Sequence, residues 1–345
     1  MNVSINHGSL RKWAFQPAMG LQNPHLQTLL GASLPSRRPK NIRRERRELP
    51  DGDFADIDWL ENGFTQPWAL IIPGIAGNLS SPCTLRLMKH LSARGYRAGL
   101  LNHRGLSGRQ NRLATAYHAG FTKDIDLVAR GLAKRHGPGI AVGFSMGGNA
   151  LLKWLGEIGQ NAPLRAAAAI SVPFQLAPAA EQLQAGRWRL YDRRLTACLR
   201  SFTQRKFARM SPPFALPDLK LLKTLREFDD RITAPLHGFT DADDYYKQSS
   251  CLPWLQQIAV PTLIINALDD PLIPRSSLPV ENDLSPAVTL ALSNHGGHVG
   301  FLGRGRAFPR FKLNDYLLDY FESPALPRSF CQESVKPRAG RGRDR

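Results

Sequence analysis

Only 4 cysteines occur in 345 residues, Cys83, Cys198, Cys251 and Cys331, far apart and without a CxxC pair. That spacing supports neither a zinc ribbon nor a disulfide framework, so scattered reduced thiols are expected. Long apolar runs are also missing. The apolar stretches Trp68–Gly77 and Ala166–Gln175 are about half of the ~20 residues that a membrane span needs. Met1–Phe15 shows no apolar segment ahead of a small-residue cleavage site, so no secretory signal is read and a soluble, cytoplasmic protein is expected. Acidic residues are scarce: 28 Asp and Glu stand against 46 Lys and Arg, a formal net charge of +18. Such a balance attracts phosphates of nucleic acid or of membrane headgroups. The excess is concentrated in Arg37–Arg47, Arg187–Arg209 and the tail Pro324–Arg345. No RNA-binding fingerprint, zinc finger or heptad array accompanies it, so no specific nucleic-acid partner is expected. The clusters leave open a peripheral contact with the inner, anionic face of a membrane.

What is present is ordinary globular composition, 42% hydrophobic and 21% charged. Residues 1–40 are polar and irregular and read as an arm over the body. Residues 41–323 alternate strand-like and helical patterns, and 324–345 reads as a basic, disordered tail. Strands are expected at Arg43–Leu49, Phe54–Leu60, Ala69–Pro73, Tyr96–Leu101, Ile140–Phe144, Ala166–Val172, Pro261–Leu268 and Val288–Leu292. Helices are expected at Pro82–Arg94, Thr122–Arg135, Gly148–Ile158 and Pro309–Phe321. Strands of Ile, Leu, Val and Ala alternating with helices predict a doubly wound α/β domain. Its sheet is mostly parallel, with an antiparallel N-terminal hairpin around Pro50-Asp51-Gly52-Asp53. Residues 173–260 separate two core strands by far more than the dozen or so a crossover needs, and read as an inserted helical cap.

The strongest local signal is Gly143-Phe144-Ser145-Met146-Gly147-Gly148, between a strand and a helix. A serine there, with glycine two places to either side, fits a nucleophile elbow, in which neighbouring backbone passes too close for a Cβ. A nucleophilic serine needs a base, and the base an orienting carboxylate. Both appear downstream at strand ends, in Asp269-Asp270-Pro271-Leu272-Ile273-Pro274 and in His295-Gly296-Gly297-His298-Val299-Gly300-Phe301. His298 is preferred as base because it ends the Gly-Gly turn. Asp270 is preferred as acid because Asp-Pro-x-x-Pro resembles the acid turn of α/β-hydrolases, leaving Asp269 a turn-capping role. His295 and His103 read as structural. The oxyanion donors are expected to be the backbone N–H groups of Met146 and of Ile75, in the loop Pro73–Asn78.

Taken together these strings resemble the YheT-like α/β-hydrolases, a branch with eukaryotic abhydrolase-domain lipases and yeast medium-chain ester synthases/esterases. The resemblance runs from about Gly20 to Tyr320. It is carried by Asn23-Pro24-His25-Leu26-Gln27-Thr28, Leu49–Asp53, Asn102–Gly105, Gly143–Asn149, Phe228-Asp229-Asp230, Asp243–Tyr246, Asp269–Pro271 and His295–Phe301. One departure is Pro73, where relatives commonly carry histidine. The resemblance implies a serine hydrolase of carboxylic esters, with Ser145, Asp270 and His298 as its triad. Short- or medium-chain acyl esters or monoacylglycerols are the implied substrates, and neither metal nor organic cofactor is called for. Asn23–Leu30 reads as packing of the arm, and Asp229, Asp230 and 241–246 as cap-to-core hydrogen bonding. Three alternatives stay open: an acyltransferase using the same triad with an alcohol, an amidase or peptidase, and a non-catalytic binder of lipid or nucleic acid on a hydrolase scaffold.

Overall fold

The computed structural model describes residues 8–63, 67–305, 310–324 and 326. The expected tail beyond 326 and Cys331 lie outside these residues. Nine strands form one sheet: β1 Ser9–Lys12, β2 Ile42–Glu48, β3 Phe54–Leu60, β4 Trp68–Ile72, β5 Arg97–Leu101, β6 Gly139–Phe144, β7 Leu164–Ile170, β8 Thr262–Ala267 and β9 Val288–Ser293. Their order is β1-β9-β8-β7-β6-β4-β5-β3-β2. From β1 to β5 all neighbours are parallel; β3 pairs antiparallel with β5 and β2 antiparallel with β3.

Alternation along the strands divides the core. Leu70 and Ile72 of β4 face one layer, with Val128 and Leu132 of the helix Lys123–His136 and Leu151, Trp154 and Leu155 of the helix Met146–Ile158. Ala69 and Ile71 face the other, with Met88 and Leu91 of the helix Pro82–Ala93 and Leu313, Leu317 and Phe321 of the helix Lys312–Phe321. Central strands buried on both faces therefore read as unbroken apolar runs. After β5 the chain returns to the other side of β4, so the β4/β6 boundary is the point where strand order reverses. Open α/β sheets hold their ligands outside the strand ends at such a point.

The arm is more ordered than its composition suggested. Ser9–Lys12 extends the sheet in parallel register, Ser9 opposite Thr289. Its residues are mostly exposed, so backbone pairing rather than apolar alternation makes this strand, and periodicity gives no sign of it. A helix follows at Pro24–Ser33, started by Asn23, whose side chain accepts the N–H groups of His25 and Leu26, and by Pro24 at its first position.

Between β7 and β8 the chain is helical. Leu176–Gln184, Arg189–Phe207 and Ala242–Ser249 are its longer helices, with a π-helical turn at Asp229–Thr233. These pack Leu176, Ala180, Phe202, Tyr245 and Tyr246 against Met146 and Tyr117 of the body. Lys206 anchors the longest of them: fully buried, it donates to Asn111 Oδ1 at 2.6 Å and Leu113 O at 2.7 Å. Burial pushes its ammonium down to about 8.

Two arginines of the first basic cluster are paired with buried carboxylates. Across the β2/β3 hairpin Arg44 forms a two-pronged pair with Asp58, and Arg46 with Asp56, both carboxylates buried. Among the described residues no helix is long and apolar enough to cross a membrane.

Candidate active site

Ser145 follows β6 and caps the start of the helix Met146–Ile158 with φ 51° and ψ −120°, a conformation that costs a non-glycine residue of order 1–3 kcal/mol. The glycines around it are dictated by contact. A Cβ on Gly143 would lie 2.6 Å from Gly147 O, and one on Gly147 would lie 2.3 Å from Pro73 O. Gly74, in the loop after β4, brings its backbone so near that a Cβ there would sit 3.3 Å from the serine Cβ.

That loop is held from below. Ala76 has φ 55°, and its N–H donates to the Tyr117 hydroxyl at 3.1 Å. The His103 ring stacks on Tyr117, centroids 4.7 Å apart, and its Nε2 donates to Pro73 O at 2.9 Å. Burial pushes the His103 imidazole down to about 4, so it is neutral at physiological pH. His103 thus serves the loop, as its place in the sequence suggested. Ile75 and Met146 both line the cavity beside Ser145. Met146 is the first helical residue, so its N–H has no intrahelical acceptor.

The loops after β8 and β9 bring the remaining residues in. His298 Nε2 lies 3.0 Å from Ser145 Oγ, and His298 Nδ1 lies 2.9 Å from Asp270 Oδ2. The other oxygen of Asp270 accepts the Leu272 N–H at 2.8 Å. A carboxylate only accepts, so Nδ1 carries the ring proton and Nε2 is left to accept from the serine hydroxyl. Asp269 turns the other way. Its carboxylate accepts the Gly297 N–H at 2.9 Å and stands 3.2 Å from His295 Nδ1; burial pushes its pKa up against both contacts. Of the sequence candidates, Ser145, His298 and Asp270 are joined in one hydrogen-bonded chain, and Asp269 and His295 form a second pair beside it.

Above Ser145 a cavity with about 980 Å³ of empty space, counted to its open mouth, runs beneath the cap. Leu176, Leu183, Leu195, Leu199, Phe202 and Phe228 give it an apolar wall. Asp229 is a polar exception, accepting from Thr233 Oγ1 at 2.7 Å and from the Tyr246 hydroxyl at 2.9 Å. Burial dominates and pushes this carboxyl up to about 7. No group of three or more His, Cys, Asp or Glu fit to hold a metal ion occurs among the described residues.

Comparison with known proteins agrees with this architecture. The α/β hydrolase fold family matches residues 67–304. YheT of Escherichia coli (strain K12) is 38% identical over 328 residues, covering 90% of this chain and 94% of that protein. The chain is a YheT-like α/β-hydrolase. A further relative of this hydrolase is the phospholipase ABHD3 of Homo sapiens, 33% identical over 289 residues, 80% of this chain and 70% of that one. Among solved structures, the Pyrococcus furiosus esterase Pf2001 superposes with a TM-score of 0.52 over 90% of this chain and 97% of its own, at 14% identity, a likeness of fold alone.

Several residues that hold the hydrolase's site escaped the sequence reading. Thr28 accepts the His298 N–H at 2.9 Å, and Ser171, itself at φ 52°, accepts the Val299 N–H at 3.0 Å. Asn23–Leu30 is therefore more than packing of the arm. The Asn-Pro start of that helix was a readable signal; its target, the His298 loop, was not.

Proposed function

We propose that the chain is a serine hydrolase of carboxylic esters, acting on short- or medium-chain acyl esters or monoacylglycerols. The observation that carries this reading is the chain Ser145–His298–Asp270, with contacts of 3.0 and 2.9 Å, at the floor of an apolar cavity. Ser145 Oγ attacks the acyl carbonyl while His298 Nε2 takes its proton. Asp270 stabilises the imidazolium that results. The N–H groups of Ile75 and Met146 receive the oxyanion, each such donor being worth about 2.7–4 kcal/mol of transition-state stabilisation. Collapse of the tetrahedral intermediate expels the alcohol, which takes the proton from His298. Water, deprotonated by the same histidine, then releases the acid and restores the serine. The apolar wall suits the acyl chain, and the similarity to a phospholipase supports a lipid-like ester.

Treatment with a fluorophosphonate, read as intact mass beside Ser145→Ala, tests this without a guess at substrate. One adduct, absent from the variant, is expected. A folded protein that takes no adduct would sink the reading. The exposed arginines 189, 193 and 194 of the cap support a cytoplasmic site of action against anionic lipid. Equal sedimentation with neutral and anionic vesicles would remove that part.

A further inference from the structure

The helix Pro24–Ser33 turns one buried face, Gln27, Thr28 and Gly31, toward the loop that carries His298. Thr28 Oγ1 accepts the His298 N–H at 2.9 Å and donates to Pro24 O at 2.8 Å. Gln27 holds the exit of the loop: its Oε1 accepts the Leu302 N–H at 2.7 Å, and its Nε2 donates to Leu302 O at 3.1 Å. The packing is backbone on backbone. A Cβ on Gly297 would stand 2.5 Å from Pro24 O, and one on Gly300 would stand 2.5 Å from Gln27 O. At these two glycines no Cβ separates the loop from the helix, and packing this close couples a shift of one to the other.

The same helix also grips the cap. His25 Nδ1 lies 2.9 Å from the Tyr191 hydroxyl, and the His25 ring stacks on Trp188 with centroids 4.6 Å apart. Burial pushes the Tyr191 phenol up; a hydrogen bond with Thr28 opposes the rise and the charge of Asp270 adds to it. Cap phenol, arm threonine and buried carboxylate thus share one neighbourhood.

We propose that the helix Pro24–Ser33 is a positioning element of the catalytic site, in which Thr28 sets the place of the His298 backbone and His25 ties that place to the docked cap. The proposal rests on the reading of His298 as the base. Its force comes from geometry: a misplacement of about 1 Å in a reacting group can cost ~10²-fold in rate. Thr28→Val keeps the shape of the side chain and removes the acceptor, which separates positioning from packing.

The test uses the whole chain, with hydrolysis of p-nitrophenyl butyrate and the rate of fluorophosphonate labelling as readouts. For Thr28→Val, kcat and the labelling rate should both fall about 10- to 100-fold, with KM within about twofold and the variant still fully folded at the assay temperature. Thr28→Ser should recover most of the loss. His25→Ala should lower both rates by about 3- to 10-fold. A folded Thr28→Val with wild-type kcat overturns the proposal. A fall fully explained by a smaller folded fraction, or an equal fall in Thr28→Ser, does the same. Wild-type labelling by His298→Ala is a different failure, that of the base itself, and overturns both readings.

Discussion

Two aspartate–histidine pairs bridge the loops after β8 and β9. In one, the Asp270 side chain has no exposed surface and that of His298 is 12% exposed; in the other, Asp269 is 14% and His295 44% exposed. The first pair continues to Ser145, whereas Asp269 spends its second oxygen on the Gly297 N–H. Residues adjacent in sequence thus divide the work. The dry pair faces Ser145, where low dielectric strengthens each contact, and the wetter pair shapes the turn that carries His298, the proposed base. Both carboxylates spend their second oxygen on a main-chain N–H, of Leu272 and of Gly297; what sets the first pair apart is that the far nitrogen of its histidine, Nε2, lies 3.0 Å from Ser145 Oγ.

The histidines offer the widest test of that division. His298→Ala should lower kcat by about 10⁴-fold or more, and His295→Ala by less than about tenfold. Steady-state hydrolysis of p-nitrophenyl butyrate measures both, and comparable losses would erase the distinction. Next come the acids. Asp270→Asn should cost about 10³- to 10⁴-fold, because the amide favours the wrong tautomer of His298, while Asp269→Asn should cost about tenfold through a looser Gly297 turn. A larger loss from Asp269→Asn would exchange their roles.

A third carboxylate sharpens the contrast by having no histidine. Asp229, buried and held by two hydroxyls, has its pKa raised to about 7. A raised carboxyl binds its proton more tightly in the folded state, so stability falls as pH rises from about 4 to 7. Asp229→Asn removes that slope. Its melting temperature relative to wild type should climb across the window and level off above it; a difference constant with pH would show that Asp229 titrates normally.

The strands from Phe54 to Leu292 were legible because each declares its burial within a few residues, the mostly exposed Ile42–Glu48 because the turn Pro50–Asp53 follows it, and the elbow because Gly143, Ser145 and Gly147 are neighbours in sequence. Between the adjacent Asp269 and Asp270 the Asp-Pro-x-x-Pro turn favoured the second by resemblance; that its side chain turns toward His298, and that of Asp269 toward His295, is a matter of folded geometry. Ser9–Lys12 left no trace because an edge strand made by backbone pairing needs no apolar pattern. Thr28 and Ser171 were hidden for a related reason: each accepts a main-chain N–H from a distant loop, and any short hydroxyl side chain looks alike until the loop is in place.

The backbone of Ser145 sets enzyme and protein at odds within one residue. With φ 51° and ψ −120° it occupies a region that glycine enters freely and side-chain-bearing residues enter at a penalty. Replacing this serine, the proposed nucleophile, by alanine keeps the penalty. Replacing it by glycine lifts the penalty, offset by about 0.4–1 kcal/mol of added freedom in the unfolded chain. Ser145→Gly should therefore melt above Ser145→Ala, so that this position trades thermal robustness against the hydroxyl it carries.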